Sequence, residues 1–134
     1  MDAISLSTMM AECYALSACM REVLPLCELT KGVAKGLGIA DDIVTNFKTT
    51  VWEDNNGALA LANLEPGQCT PRSKFCDCKV HWFRSHITRE GDPTNSSDGI
   101  HVRKIDTHDQ LADLFTKPLA KDVFERLRKK MIGW

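Results

Sequence analysis

Several things are scarce in this chain of 134 residues, and each scarcity excludes something. Net charge is almost absent, 17 basic against 18 acidic residues, so no global field draws the molecule to nucleic acid or to a membrane surface. Any such affinity must come from a local patch. No apolar run approaches the roughly 18 residues of a membrane-spanning helix, and Met1-Asp2 opens no secretory signal. The expected setting is therefore cytoplasmic or nuclear, without membrane association or secretion. Without a secretory context the six cysteines are expected as reduced thiols, and Asn95-Ser96-Ser97 is expected as a polar loop rather than a glycosylation acceptor. No internal repeat or low-complexity tract is present. What remains, 43% hydrophobic and 26% charged residues, describes one globular domain with a single core.

Along the chain, residues 3–6 alternate weakly and read as the tail of a strand. From Thr8 the pattern turns helical, with Ala11, Ala15, Leu16, Cys19, Met20, Val23 and Leu24 on one face, and Cys13, Cys19 and Cys27 as small apolar residues. Pro25 is expected to kink or end this helix, and Gly32, Gly36 and Gly38 to mark a loop or a loosened helix end. Residues 49–53 read as a strand and 55–63 as a short helix closed by Pro66-Gly67. A second amphipathic helix is expected over 74–89, a loop over 91–99, and a strand over 100–105. Thr107 and Gln110 fit a capping box opening a short helix through Phe115, which stops before Pro118. A last helix over 120–131 directs Val123, Phe124, Leu127 and Met131 inward, and Arg126, Arg128, Lys129 and Lys130 suit its negative end. Strands alternating with helices predict an α/β domain containing a parallel strand pair. Two full strands alone would leave most of these helical faces without a partner.

Three acids fall in similar places. Glu12 lies one turn into the first helix, Asp54 at the carboxyl end of a strand, and Asp113 early in a helix that comes after another strand. Ligands of open α/β sheets gather outside the carboxyl ends of strands, and carboxylate oxygens are the natural ligands of magnesium. Taken singly, each acid has a plainer role: Asp54 as a helix cap, Glu12 as a solvated helix residue, Asp113 as a first-turn partner of the helix dipole.

The surrounding segments narrow the choice. "STMMAECYALSACMREVLPL", "VWEDNNGALALAN", "PRSKFCDCKVHWFRSHI" and "DQLADLFTKPL" occur in this order. Together they resemble the ribonuclease H region that follows the reverse transcriptase in copia-type LTR-retrotransposon polyproteins. The resemblance covers nearly the whole chain. It implies a ribonuclease H-like α/β fold, a mixed sheet with flanking helices, over residues 1–134, with 118–134 as a C-terminal helical extension. It further implies that Glu12, Asp54 and Asp113 stand at the second, third and fourth of four catalytic carboxylates. Two magnesium ions, with manganese as the alternative, would bridge these acids and the scissile phosphate of an RNA–DNA hybrid. One ion would activate water and the other would stabilise the leaving 3′ oxygen of the RNA strand. The implied partners are the hybrid and the upstream reverse transcriptase segment, and the implied setting includes the virus-like particle.

The chain also departs from the pattern. The family's first two strands, and with them its first carboxylate, would precede Met1. The expectation is an N-terminally truncated domain, inactive or nearly so by itself and prone to self-association through an uncovered sheet edge. Met10, Cys13 and Phe75 replace a usual glutamate, tyrosine and histidine. The competing class is a non-catalytic, transposon-derived module that binds nucleic acid or protein. Cys69, Cys76, Cys78 and His81 do not have the spacing of a structural zinc site, and core packing accounts better for the cysteines. Arg72, Lys74, Lys79, Arg84 and Arg89 crowd the second amphipathic segment, either as contacts to phosphates or as a solvated helix face. His108 is expected as a loop histidine, with assistance to product release as its sharper alternative.

Overall fold

Alanine, leucine, methionine and other good helix formers dominate the first 36 residues, and they form one long helix, α1 (Ala3–Gly36), of 34 residues. The computed structural model describes residues 3–65, 67–68, 82–89 and 99–134. Residues 3–6 belong to the helix rather than to the expected strand. Of the two outcomes expected at Pro25, a kink or an end, the end is excluded because α1 continues through it. Pro25 deprives the Arg21 carbonyl of its helical donor, but both residues are exposed, so water can take the donor's place. The inward face is also rotated from the expected one. Cys13, Leu16, Ser17, Met20 and Ala34 are buried, whereas Ala11, Ala15 and Cys19 are exposed. Apolar residues occur around most of α1, so spacing alone did not select its buried stripe.

The helix ends in a Schellman arrangement: Gly38 N–H donates to the Lys35 carbonyl (2.9 Å) and Ile39 N–H to the Ala34 carbonyl (3.0 Å). Gly38 has the left-handed φ of 77° that this closure requires. A short helix, α2 (Asp41–Thr45), buries Val44 and returns the chain to β1 (Thr49–Glu53). The run Thr-Thr-Val-Trp suits a strand. It pairs in parallel with β2 (Ile100–Lys104), Thr49 opposite Ile100 and Glu53 opposite Lys104. Ile87 makes a single bridge to Ile100. Among the described residues the sheet is therefore a parallel pair, not the expected mixed sheet. No described strand covers the outer edge of β1.

Between the strands lies α3 (Asn56–Ala62), whose buried Ala58, Leu61 and Ala62 face α1. The expected helix over 74–89 lies largely outside the described residues, but its described end is different. Trp82–His86 is a 3-10 turn, and Thr88 N–H donates to the Ile100 carbonyl (2.7 Å). Pairing with β2 outcompetes the helical pattern there. Leu16, Met20, Ala62, Phe83, Ile87, Ile100 and Val102 form the main core, and the Trp82 indole donates to Ser17 Oγ (2.9 Å) at its margin.

Beyond β2, a 3-10 turn (Thr107–Asp109) is capped by Asp106, whose Oδ1 accepts from His108 N–H (2.8 Å). Asp106, not Thr107, is thus the capping residue. A short α4 (Asp113–Thr116) and a terminal α5 (Lys121–Ile132) complete the order. Leu127 anchors α5 in the core, while Phe124 and Met131, expected inward, stay well exposed. Arg126 and Lys130 of α5 instead clasp Asp109, at 3.1 and 2.6 Å.

Candidate metal centre

The strand-to-helix junction after β1 collects acid. Register sets the first step: parallel pairing brings Glu53 to the end of β1, where its side chain turns inward and only 5% of the residue remains exposed. A buried carboxylate needs a donor. Glu53 Oε1 accepts from the backbone N–H of Asn55 (2.8 Å), which tightens the turn. Asn55 then caps α3, its Oδ1 accepting from Ala58 N–H (3.0 Å). On the β2 side, Lys104 Nζ donates to the Asp54 carbonyl (2.8 Å) and to Asn56 Oδ1. The two amides and the Glu53 carboxylate thus build the junction.

Packing of α1 against α3 delivers Glu12 to the same place. Glu12, Glu53 and Asp54 each offer an oxygen, and these oxygens all lie within 4.8 Å of one another. A hard divalent ion with oxygen ligands at about 2.0–2.6 Å spans such a group after modest contraction. The donor set contains oxygen only, which favours magnesium, manganese or calcium over zinc. The cluster could hold a metal ion.

Asp113 enters through a lysine. Lys117 Nζ lies 3.0 Å from Asp113 Oδ1 and 4.0 Å from Asp54 Oδ2, so the two carboxylates share one ammonium. Asp113 is 6% exposed, and Lys117, one turn later in sequence, is the cation within reach of it. The local electrostatics agree. Burial pushes the Glu53 carboxyl above its ordinary value, the Asn55 N–H opposes the rise, and the charges of Glu12 and Asp54 add to it. The hydrogen bond to Asp113 raises the Lys117 ammonium above its ordinary value, with further help from the charges of Asp113, Asp54 and Glu12 against a contrary effect of burial.

Of the three acids singled out from sequence, the structure therefore brings Glu12 and Asp54 into one cluster and ties Asp113 to it through Lys117. Sequence reasoning missed Glu53 and Lys117. Glu53 looked like the last residue of a strand, although an acid doublet at a strand's carboxyl end was a usable signal. Lys117 stood in plain view four residues after Asp113.

The basic candidates divide as well. Arg72, Lys74 and Lys79, like Cys69, Cys76, Cys78 and His81, lie outside the described residues. Arg84 is 1% exposed and donates through Nη1 to the Gln68 carbonyl (2.7 Å). Arg89 binds the carbonyls of Asn63 (3.0 Å), Leu64 (2.7 Å) and Arg84 (2.9 Å), tying the end of α3 to the 3-10 turn. Both guanidiniums hold the fold, and a buried Arg84 offers nothing to a phosphate. His108 is exposed on its turn, and its carbonyl accepts from Arg126 Nη2 (2.7 Å). No family model of known proteins matches this chain, and no solved structure matches it.

Proposed function

We propose that this chain is a ribonuclease H-like module, derived from an enzyme that cuts the RNA strand of RNA–DNA hybrids. The observation that carries the reading is the convergence of Glu12 from α1 with Asp54 from the carboxyl end of β1, their oxygens within 4.8 Å. These are two of the acids that the resemblance to copia-type ribonuclease H regions singles out. Magnesium is the proposed ion, and when bound it would supply charge for phosphoryl transfer and a more acidic water. Glu12, Glu53 and Asp54 would hold it; Asp113, on α4, would extend the acidic surface beside it. Asn55 and Lys104 keep Asp54 in place by fixing the turn on both sides.

In this reading the outer edge of β1, which no described strand covers, is where a further strand belongs, and that strand would bring the family's first carboxylate. The chain by itself is expected to be inactive, or nearly so, on a hybrid with magnesium. Supplying the family's first strands, covalently or as a second polypeptide, should restore cleavage, and Asp54→Asn should abolish it again. Cleavage by the restored protein that survives Asp54→Asn would refute the site. Robust cleavage by the 134-residue chain, lost in Asp54→Asn, would keep the site and refute the need for a further strand. A non-catalytic interaction module is the second reading. It draws on the exposed stripe of Leu26, Leu29, Val33 and Leu37 along and just beyond α1, 53–76% exposed, which no described element covers.

A further inference from the structure

We infer that the Lys117 ammonium is a built-in cation of the carboxylate cluster, standing where a second divalent ion would otherwise bind. The chain would then take one divalent ion, at Glu12, Glu53 and Asp54. The inference deepens the metal-binding reading above and rests on it.

Four carboxylates meet in this region, and the structure divides them into two sets. Glu12, Glu53 and Asp54 each offer an oxygen within 4.8 Å of the other two. Asp113 is turned instead to Lys117, and Lys117 also reaches Asp54. Asp54 is thus shared between the open trio and the lysine-neutralised pair. Lys117 is well suited to this role. Its backbone N–H donates to the Asp113 carbonyl (3.1 Å), which fixes its Cα at the end of α4. Its side chain is 46% exposed, so the ammonium can swing into water along a short path. Asp113, almost buried, needs a positive partner, and the Lys117 ammonium meets that need in the absence of a second ion.

The consequence is a competition. A divalent ion at the trio sits beside a positive charge that shares one of its ligands. In a water-like dielectric, a unit charge about 6 Å from a dication weakens its binding on the order of tenfold. A second ion cannot be held by Asp54 and Asp113 until Lys117 leaves. Substrate phosphate or an additional carboxylate at the cluster would lower the local repulsion and make that exchange easier.

Manganese titration tests this, with free ion followed by its paramagnetic resonance signal and each protein checked for folding by far-ultraviolet circular dichroism. The native chain should bind one ion. Lys117→Met should bind two, the first on the order of tenfold more tightly, and Lys117→Arg should behave as the native chain. Lys117→Gln replaces the methionine variant if the latter does not fold. Native stoichiometry and affinity in the neutral variant would overturn the inference and make Lys117 a clasp of the fold. If manganese binding is lost in Asp54→Asn but indifferent to Lys117, the metal-binding reading stands and the inference falls. If neither the native chain nor the neutral variant binds manganese, both fall.

Discussion

Replacing Gly99 with alanine should damage the sheet far more than the loss of one glycine implies. Gly99 has φ of 68°, a left-handed conformation that costs an L-residue roughly 1–2 kcal/mol. A Cβ built there would stand 2.6 Å from the carbonyl oxygen of Phe47, a backbone atom that cannot rotate away. The Gly99 carbonyl also accepts from Thr49 N–H (2.9 Å), the first rung between β1 and β2. Relieving the clash should stretch that rung, at a further cost of about 1 kcal/mol. The sum is about 3 kcal/mol, a large part of the stability of a domain this size. At roughly 3–5 °C per kcal/mol, the thermal midpoint should fall by about 10 °C or more. Gly38→Ala is the control. Its φ of 77° carries the same backbone penalty, but nothing lies within 4 Å of the added Cβ, so its midpoint should fall by only about half as much. Equal losses in the two variants, measured by circular dichroism melting, would refute the claim that Gly99 is required by the close approach of Phe47.

Other consequences can be checked in the same preparations. Asn55→Ala removes the cap of α3 and should cost about 1 kcal/mol in chemical denaturation, while Asn55→Asp should restore most of it. Asp109 is held below its ordinary value, first by the Lys130 hydrogen bond and charge and then by Arg126. Its contribution to stability is therefore complete above the ordinary aspartate range and is lost as pH falls through the lowered value. Asp109→Asn should flatten that acid limb of the stability curve, and an unchanged slope would show the clasp on α5 to be without effect. The edge of β1 that no described strand covers and the exposed stripe on α1 should make the 134-residue chain self-associate at micromolar concentration. A single monomeric boundary in sedimentation velocity, together with a cooperative melt, would contradict this.

Much of the framework was legible in the residues because it rests on local chemistry. β1 over 49–53 arises from β-branched residues ended by a turn, and its parallel pairing from the helix-bearing crossover that separates the strands. The helix start at Asn55 and Leu127 in α5 were legible in the same sense, whereas Glu12 and Asp54 were singled out together only through the family resemblance. What was missed depends on how the folded chain exposes, buries or pairs each residue. Whether Pro25 breaks a helix depends on whether Arg21 can reach water. Whether residues 82–87 stay helical depends on the offer of pairing from Ile100. The inward turn of Glu53 requires the Asn55 N–H, and the position of Lys117 requires two acids that sit 59 residues apart in sequence (54 and 113).

The central claim is that Glu12, Glu53 and Asp54 form one divalent-ion site, and anomalous diffraction from manganese-soaked crystals tests it most directly. The predicted result is a peak within about 2.1–2.4 Å of an oxygen from each of the three carboxylates, absent in Asp54→Asn crystals. No peak at that cluster under saturating manganese, or a peak bound to Asp113 while Glu12 and Glu53 stay clear of it, would contradict the claim.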